Sequence, residues 1–353
     1  MTDELPHIEG AVCPVPLTHN EQIVMGHGSG GKMSHDLIRK TFLAAFDNSI
    51  LRTGDDAAPI AVNGTRLAIS TDSHVVAPLF FPGGDIGKLA VCGTVNDVAM
   101  LGARPLYLTA GFILEEGLPI ETLLRVIESM SAAAKEAGIQ IVAGDTKVVE
   151  KGKADGLYIN TTGIGEILPN VNIGGAQAKP GDVVILSGSI GDHGIAVLGA
   201  RGELGFTSAI QSDVAPLNHL IEAMLEADKN IHVLRDPTRG GLATTLNEIA
   251  AQSKVAIHLN EQAIPVKPAV NAACEMLGFD PLYVANEGKL IAIVPPESAD
   301  KILRAMRTTK YGEEAVAIGE VKEDSRGRVL MKTAIGTTRV VDMLAGEMVP
   351  RIC

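Results

Sequence analysis

The 353-residue chain has no basic run, no CxxC pair, no apolar stretch long enough to span a bilayer and no short-period repeat. Each absence removes a class of protein. Lys and Arg total 30 against 42 Asp and Glu, a formal charge of -12, so a nucleic-acid backbone or an anionic membrane surface is not an expected partner. The four cysteines, Cys13, Cys92, Cys274 and Cys353, lie far apart. That spacing suggests neither a disulfide framework nor a zinc knuckle, and it fits a reducing cytoplasm. The acidic opening MTDELPHIEG lacks an apolar h-region, so neither a secretory signal nor a transmembrane helix is expected. What is present is a composition 46% hydrophobic and 20% charged, enough for substantial cores. The length favours two of them.

Periodicity divides the chain. Residues 1–45 read as an arm with a glycine cluster, running into a helix at SHDLIRKTFLAAF. Residues 46–177 read as an α/β unit, with strands at RLAIST, LYLTAGFIL, IQIVAG and LYINTTGIGEIL and helices at DIGKLAVCGTVNDVAMLGA and IETLLRVIESMSAAAKEAG. A Pro-Gly turn in AQAKPGD opens a second α/β unit, residues 178–335, with strands at VVILSG, KLIAIV and AVAIGEV and helices near LNHLIEAMLEA, LATTLNEIAAQS and SADKILRAMRTT. Residues 336–353 form a tail in which the periodicity weakens.

Three sets of residues could carry chemistry. GHGSGGK, residues 26–32, has the GxxxxGK spacing of a phosphate-binding loop, but Met33 stands where that loop needs Ser or Thr for magnesium. A backbone cradle for a polyphosphate and a plain glycine loop both fit it. The carboxylates form the second set: Asp55 and Asp56 in TGDDAAP, Asp72 and Asp145 at strand ends, and Asp97 inside an apolar helix. Any one of them could be a turn or cap residue. Asp97 among Val95, Val98 and Ala99 nevertheless needs a cation or donors to replace its lost water. Together the acids suit Mg2+ bridging protein to nucleotide phosphates. In the second unit GSIGDHG and RDPTRGGLA each lead into a helix and can turn N–H groups towards an anion. Glu287, in VANEGKL, is either a solvated loop residue or part of the site. The last set is the terminus, EMVPRIC, where Cys353 has a covalent neighbour on one side only and can reach into a pocket.

GHGSGGK, GDDAA, TDSH, NDVAMLGARP, GDTKVV, DPTRGGLA, NEG and the terminal PRIC together closely resemble the hydrogenase-maturation carbamoyl dehydratases, the HypE family, across nearly the whole chain. The internal motifs also resemble the wider aminoimidazole-ribonucleotide-synthetase-like group. The resemblance implies a two-domain α/β (α+β) fold, an N-terminal sheet closing a barrel across a homodimer, and a flexible C-terminal tail. It implies that a carbamoyltransferase, HypF, loads a carbamoyl group onto Cys353. The enzyme then dehydrates it with ATP and Mg2+ to a thiocyanate, whose cyanide passes to a HypC–HypD iron scaffold. By the same resemblance Gly28, Gly30, Gly31, Lys32, Asp55, Asp72, Asp97 and Asp145 contact ATP, and Asp55, Asp56, Asp97 and Asp145 are the metal acids. Cys353, Glu287 as base and Lys147 as electrostatic partner carry the chemistry. Arg351 tethers the tail or screens its carboxylate. Selenophosphate synthetase, which shares the fold, is expected to carry a reactive cysteine or selenocysteine in the glycine loop, and this loop has none. A kinase of the superfamily would leave Cys353 unused. As a metallochaperone or docking scaffold the chain would offer one thiolate without soft partners, a poor metal site.

Overall fold

The computed structural model describes residues 22–202, 209–346 and 351–353, so Cys13 lies outside the described residues. Two sheets organise the chain. The first has five strands in the order Ala58–Val62, Thr65–His74, Leu157–Ile167, Ala103–Glu115 and Gln140–Val149. Neighbours are antiparallel except the last two, which are parallel. A parallel pair needs a crossover, and the Ile120–Ala137 helix supplies it. The Leu157–Ile167 strand alternates strictly between buried and less buried positions, which gives it one inward face.

Against that face lies the Ile86–Met100 helix, capped by the Asp85 carboxylate on the Gly87 and Lys88 N–H groups. Nearly all of its residues are buried, as its predominantly apolar composition requires. Gly163 and Gly165 let it approach the sheet: a Cβ at either would stand 2.8 Å or less from Thr94 or Val98. Asn96 on this helix donates to the Ala215 carbonyl at 3.0 Å and accepts the Leu217 N–H at 2.8 Å. That buried amide ties the two halves of the chain together, and losing it would strand polar groups in the interior.

The second sheet has seven strands in the order Thr338–Val341, Val329–Lys332, Ala256–Asn260, Val316–Lys322, Val183–Leu186, Ile291–Val294 and Val233–Arg235. Its Val183–Leu186 and Ile291–Val294 strands are apolar at every position because helices cover both faces. Val184, Leu186, Ile291 and Ile293 pack with Leu242, Leu246 and Ile249 of the Gly241–Ser253 helix. Ile185, Ala292 and Val294 pack with Leu220 and Met224 and with Ile302 and Met306 on the opposite face.

Two expectations change. The strand expected to end near Gly144 runs on to Val149, so Asp145 sits within it; parallel pairing with Gly111 to Glu115 carries it forward. The segment expected to be a tail from residue 336 begins with the Thr338–Val341 strand, which is held by backbone pairing to Val329–Lys332. Backbone hydrogen bonds do not need an apolar pattern to form, so sequence periodicity gave no warning.

Candidate active site

The last three residues lie beside the segment that follows the Thr65–His74 strand. The Val75 N–H donates to the Cys353 main-chain oxygen at 2.7 Å, and the Ala77 N–H to the Arg351 carbonyl at 3.3 Å, the alternation of an antiparallel pair. His193 Nε2 meets the Ile352 carbonyl at 2.7 Å. Arg201 donates through Nη2 to the Arg351 carbonyl at 2.7 Å and through Nε to the Ala77 carbonyl at 2.8 Å. The Ile352 side chain is 4% exposed and shares a core cluster with Val76, Phe81 and Val197. The chain end expected to be flexible is therefore docked, because its one aliphatic side chain has a cavity to fill and its carbonyls have donors. Of the two roles considered for Arg351, tethering matches its ion pair with Asp155.

Docking carries the half-buried Cys353 into a cavity of about 190 Å³ that Gly28, Ser29, Ser73, Arg239 and Gly240 also line. Burial pushes its thiol up to about 12, against the pull of the Arg239 guanidinium and with Glu287, Asp72 and Asp236 adding to the rise. The glycine loop closes one wall. A Cβ at Gly31 would fall 2.2 Å from the Leu344 carbonyl oxygen, and one at Gly30 2.8 Å from that of Arg239, so these positions admit no side chain without displacement. The Lys32 N–H donates to the Leu344 carbonyl at 2.8 Å.

Acids converge on the other side. Asp97 accepts from the Ser70 hydroxyl at 2.7 Å; burial, and then the charges of Asp236, Asp72 and Asp56, hold its carboxyl well above the ordinary range. Asp236 is raised in the same way, by burial and then by Asp56. Asp56 is pushed up to about 6 by burial, against the attraction of Arg235, whose Nε lies 2.7 Å away. Arg235 also pairs with Glu248, which pairs with His35 on the Lys32–Leu37 helix. This chain of charges links the acids to the glycine loop.

Glu287 acts on the thiol through its charge. Burial raises its carboxyl well above the usual carboxylate range, with Asp236, Asp72 and Asp213 adding to the rise and Arg239 opposing it. Its Oε1 is buried with no hydrogen-bond partner among the described residues, an acceptor waiting for a donor. Its neighbour Asn286 accepts the Gly191 N–H at 2.8 Å and donates to the Pro237 carbonyl at 2.8 Å. The NEG motif thus joins the GSIGDHG and RDPTRGG loops and fixes the floor of the site.

Not every expected residue comes to this point. Asp55 turns its Oδ1 to the Gly175 N–H at 2.7 Å. Asp145 and Lys147 pair at 2.5 Å on the outer strand, both largely exposed, and line a cavity of about 280 Å³. Ser73 and Val75 line both cavities, so the two adjoin. Lys32 is exposed. Asp55, Asp56, Asp97 and Asp145 consequently do not meet as one set. Asp236, Arg239, His193 and Arg201 were not singled out in the sequence. Asp236 and Arg239 sit in RDPTRGG and His193 in GSIGDHG, which were read as anion-facing loops, whereas nothing marked Arg201.

The donor set fits a divalent cation carried on a nucleotide. Asp56 Oδ2 is buried without a hydrogen-bond partner among the described residues, and mutually repelling carboxyls gain from a nearby positive charge. No three His, Cys, Asp or Glu side chains among the described residues form a cage. Mg2+ needs none, because it takes one or two carboxylates and completes its shell with phosphates and water.

The AIR synthase related protein N-terminal domain family matches residues 54–167, and its C-terminal domain family residues 179–332. The carbamoyl dehydratase HypE of Cupriavidus necator is 58% identical, over 94% of this chain and 95% of its own length. This chain belongs to the HypE carbamoyl dehydratase family. The solved HypE–HypF complex contains a chain 53% identical with a TM-score of 0.83, covering 87% of this chain and 99% of that one. A hydrogenase maturation protein HypE in complex with ATP is 54% identical with a TM-score of 0.79, covering 94% and 100%. The two-domain α/β fold and the carbamoyl dehydratase class expected from the motifs are those of this family.

Proposed function

We propose that this chain uses ATP to convert a carboxamide carried on Cys353 into a thiocyanate, the precursor of the cyanide ligand of a nickel-iron hydrogenase. The observation that carries the reading is the chain end itself: its thiol sits in the cavity walled by the glycine loop, with Arg239 lining the same cavity and the orphaned Glu287 carboxyl near enough to act on it. A carboxamide oxygen leaves poorly as hydroxide, so attack of that oxygen on the γ-phosphate makes phosphate the leaving group. Loss of both N–H protons and departure of phosphate leave the C≡N bond, with ADP and one net proton released. Glu287 accepts an N–H proton. Arg239 steadies negative charge at the carboxamide oxygen. Asp97, with Asp72 and Asp236 beside it, would hold Mg2+, which neutralises phosphate charge when bound. The glycine loop covers the phosphates, and Asp145 and Lys147 act from the adjoining cavity.

The same reading includes loading by a HypF carbamoyltransferase, delivery to a HypC–HypD scaffold, and a homodimer. Support for the homodimer is the outer edge of the Gln140–Val149 strand, unpaired among the described residues, with Val142 56% and Val148 68% exposed. No helix among the described residues is long and apolar enough to cross a membrane, and a carried thiol suits the cytoplasm.

The test mixes the chain with the carbamoyltransferase, carbamoyl phosphate and Mg-ATP and weighs the terminal peptide. A carbamoyl gain followed by loss of one water, absent in Cys353→Ala, supports the reading. Product from Cys353→Ala, or a gain on an internal cysteine, refutes it.

A further inference from the structure

We infer that Asp213 and Lys289 form a positioning pair for Glu287: Asp213 holds the Glu287 main chain and Lys289 cancels the charge of Asp213, which leaves the Glu287 carboxyl free to meet a substrate. The proton-accepting role of Glu287 is that of the dehydratase reading above, on which the purpose of the pair rests.

Asp213 Oδ1 accepts the Glu287 N–H at 3.0 Å, and Asn96 of the Ile86–Met100 helix donates to the Glu287 carbonyl at 3.4 Å. Both bonds use the main chain. Oε1 of the same residue is buried with no hydrogen-bond partner among the described residues, so the clamp fixes where the side chain starts without occupying its carboxyl. Gly288 lets the two segments touch: a Cβ there would stand 1.8 Å from the Asp213 carbonyl oxygen. Lys289 then returns to Asp213. Its Nζ lies 3.2 Å from Oδ2, with the Asp213 side chain 4% and the Lys289 side chain 13% exposed, and it also donates to the Gly288 carbonyl at 3.3 Å. The Lys289 stem passes over Gly188, where a Cβ would meet Cε at 3.1 Å. The pair thus joins NEGKL to the GSIGDHG loop and to the segment that precedes the Asn218–Ala227 helix.

A buried ion pair is a costly way to hold one N–H, since an uncharged acceptor could take it. Its use follows from the charges around Glu287. Burial raises that carboxyl, Asp236, Asp72 and Asp213 add to the rise, and Arg239 opposes it; the Cys353 and Cys92 thiols feel its charge in turn. Burial would raise Asp213 as well, but Lys289 and then His193 bring it below the ordinary carboxylate range, and His193 is itself pushed down by burial. Asp213 is therefore ionised beside the base, and Lys289 is the cation that keeps it from locking a proton onto Glu287. Without Lys289 an uncancelled carboxylate favours that proton; without the charge of Asp213 the remaining ammonium disfavours it. General damage to the fold would not move the two variants in opposite directions.

The experiment uses the full-length chain with Lys289→Met, Asp213→Asn, the double variant and Lys289→Arg. Proton binding at Glu287 is read without catalysis, as the infrared band of a protonated carboxyl that disappears when Glu287→Gln is added to each background, followed against pH. Lys289→Met should move the midpoint up by about one pH unit and Asp213→Asn down by a similar amount. The double variant keeps an amide oxygen for the Glu287 N–H and loses both charges, and Lys289→Arg keeps both, so each should return the midpoint to within about half a unit of wild type. The pH profile of water loss from a tail preloaded by the carbamoyltransferase should shift in step. Should Lys289→Met, which strands a buried carboxylate, fail to fold, Asp213→Asn and the double variant carry the test. Midpoints that stay put, that move the same way in both single variants, or that remain displaced in the double variant overturn the pair. Midpoints that move as expected while the water-loss profile ignores them uphold the pair and refute Glu287 as the base.

Discussion

Ile352→Ala isolates the apolar part of chain-end docking. Ile352 is 4% exposed within the cluster that holds Val76, Phe81 and Val197. Truncation to Ala removes three buried carbons at about 0.8 kcal/mol each, or roughly 2.4 kcal/mol. At about 1.4 kcal/mol per decade the ratio of docked to free tail falls roughly 50-fold. Residual cavity left by the truncation can only enlarge the effect. The backbone bonds to His193, Arg201 and Val75 do not involve this side chain, so the change acts on affinity and leaves register alone. While the docked state predominates, alkylation of Cys353 proceeds through the small open fraction, and its rate rises by the same factor. Ile352→Val removes one carbon and should raise the rate only about four-fold, so the two variants provide an internal scale. The melting temperature should move little, because tail release is a local opening. Mass analysis of the terminal peptide against time supplies the rates. An Ile352→Ala rate within about three-fold of wild type, with the fold intact, would show that the buried side chain does not hold the end, and the docking argument would fail.

Two further predictions use the raised carboxyls. Glu287→Gln should bind ATP normally yet stop water loss, and in the wild type the rate of water loss should climb only at pH above the ordinary glutamate range, because the base works when ionised and burial holds its proton to higher pH. A climb centred near 4 to 5, or a full thiocyanate yield from Glu287→Gln, would remove Glu287 as the base. Asp236 in the folded chain keeps its proton well above 3.8, whereas the unfolded carboxyl loses it near about 3.9. The folded state then binds the extra proton, so stability drops as pH rises from there through the folded pKa. Asp236→Asn should therefore melt higher than wild type at pH 8 and equally at pH 3, while losing Mg-dependent ATP turnover; a lower melt at pH 8 would contradict the assigned repulsion.

Much of the site was legible because its parts are short, local and costly without a function. Asp97 interrupts the apolar helix Ile86–Met100, and a carboxylate there demands compensation whatever the fold. GHGSGGK concentrates four glycines, and Gly30 and Gly31 prove to be places where backbone meets backbone. What stayed hidden are roles created by distance along the chain. Arg201 is an ordinary arginine at the end of a helix until the terminus, 150 residues later, places a carbonyl on it. His193 shares a heptapeptide with three glycines, which drew attention to anion binding and away from the ring that holds Ile352. Asp55 and Asp56 are adjacent in sequence, yet one faces Gly175 and the other Arg235, partners that folding brings there from far along the chain.

The sequence by itself determined the two α/β units, the apolar central helix, the acidic character of the site and a terminal thiol with no soft-metal partners, since these follow from composition and periodicity that act locally. Only the tertiary structure decided that the terminus is docked, that Arg239 rather than Arg351 acts on the thiol, and that Asn286 joins the two anion-facing loops. Those facts depend on which donors and acceptors fall within about 3 Å of one another, and hydrogen-bond distances between residues far apart in the chain are fixed by packing two sheets and their helices together, not by any pattern a linear reading contains.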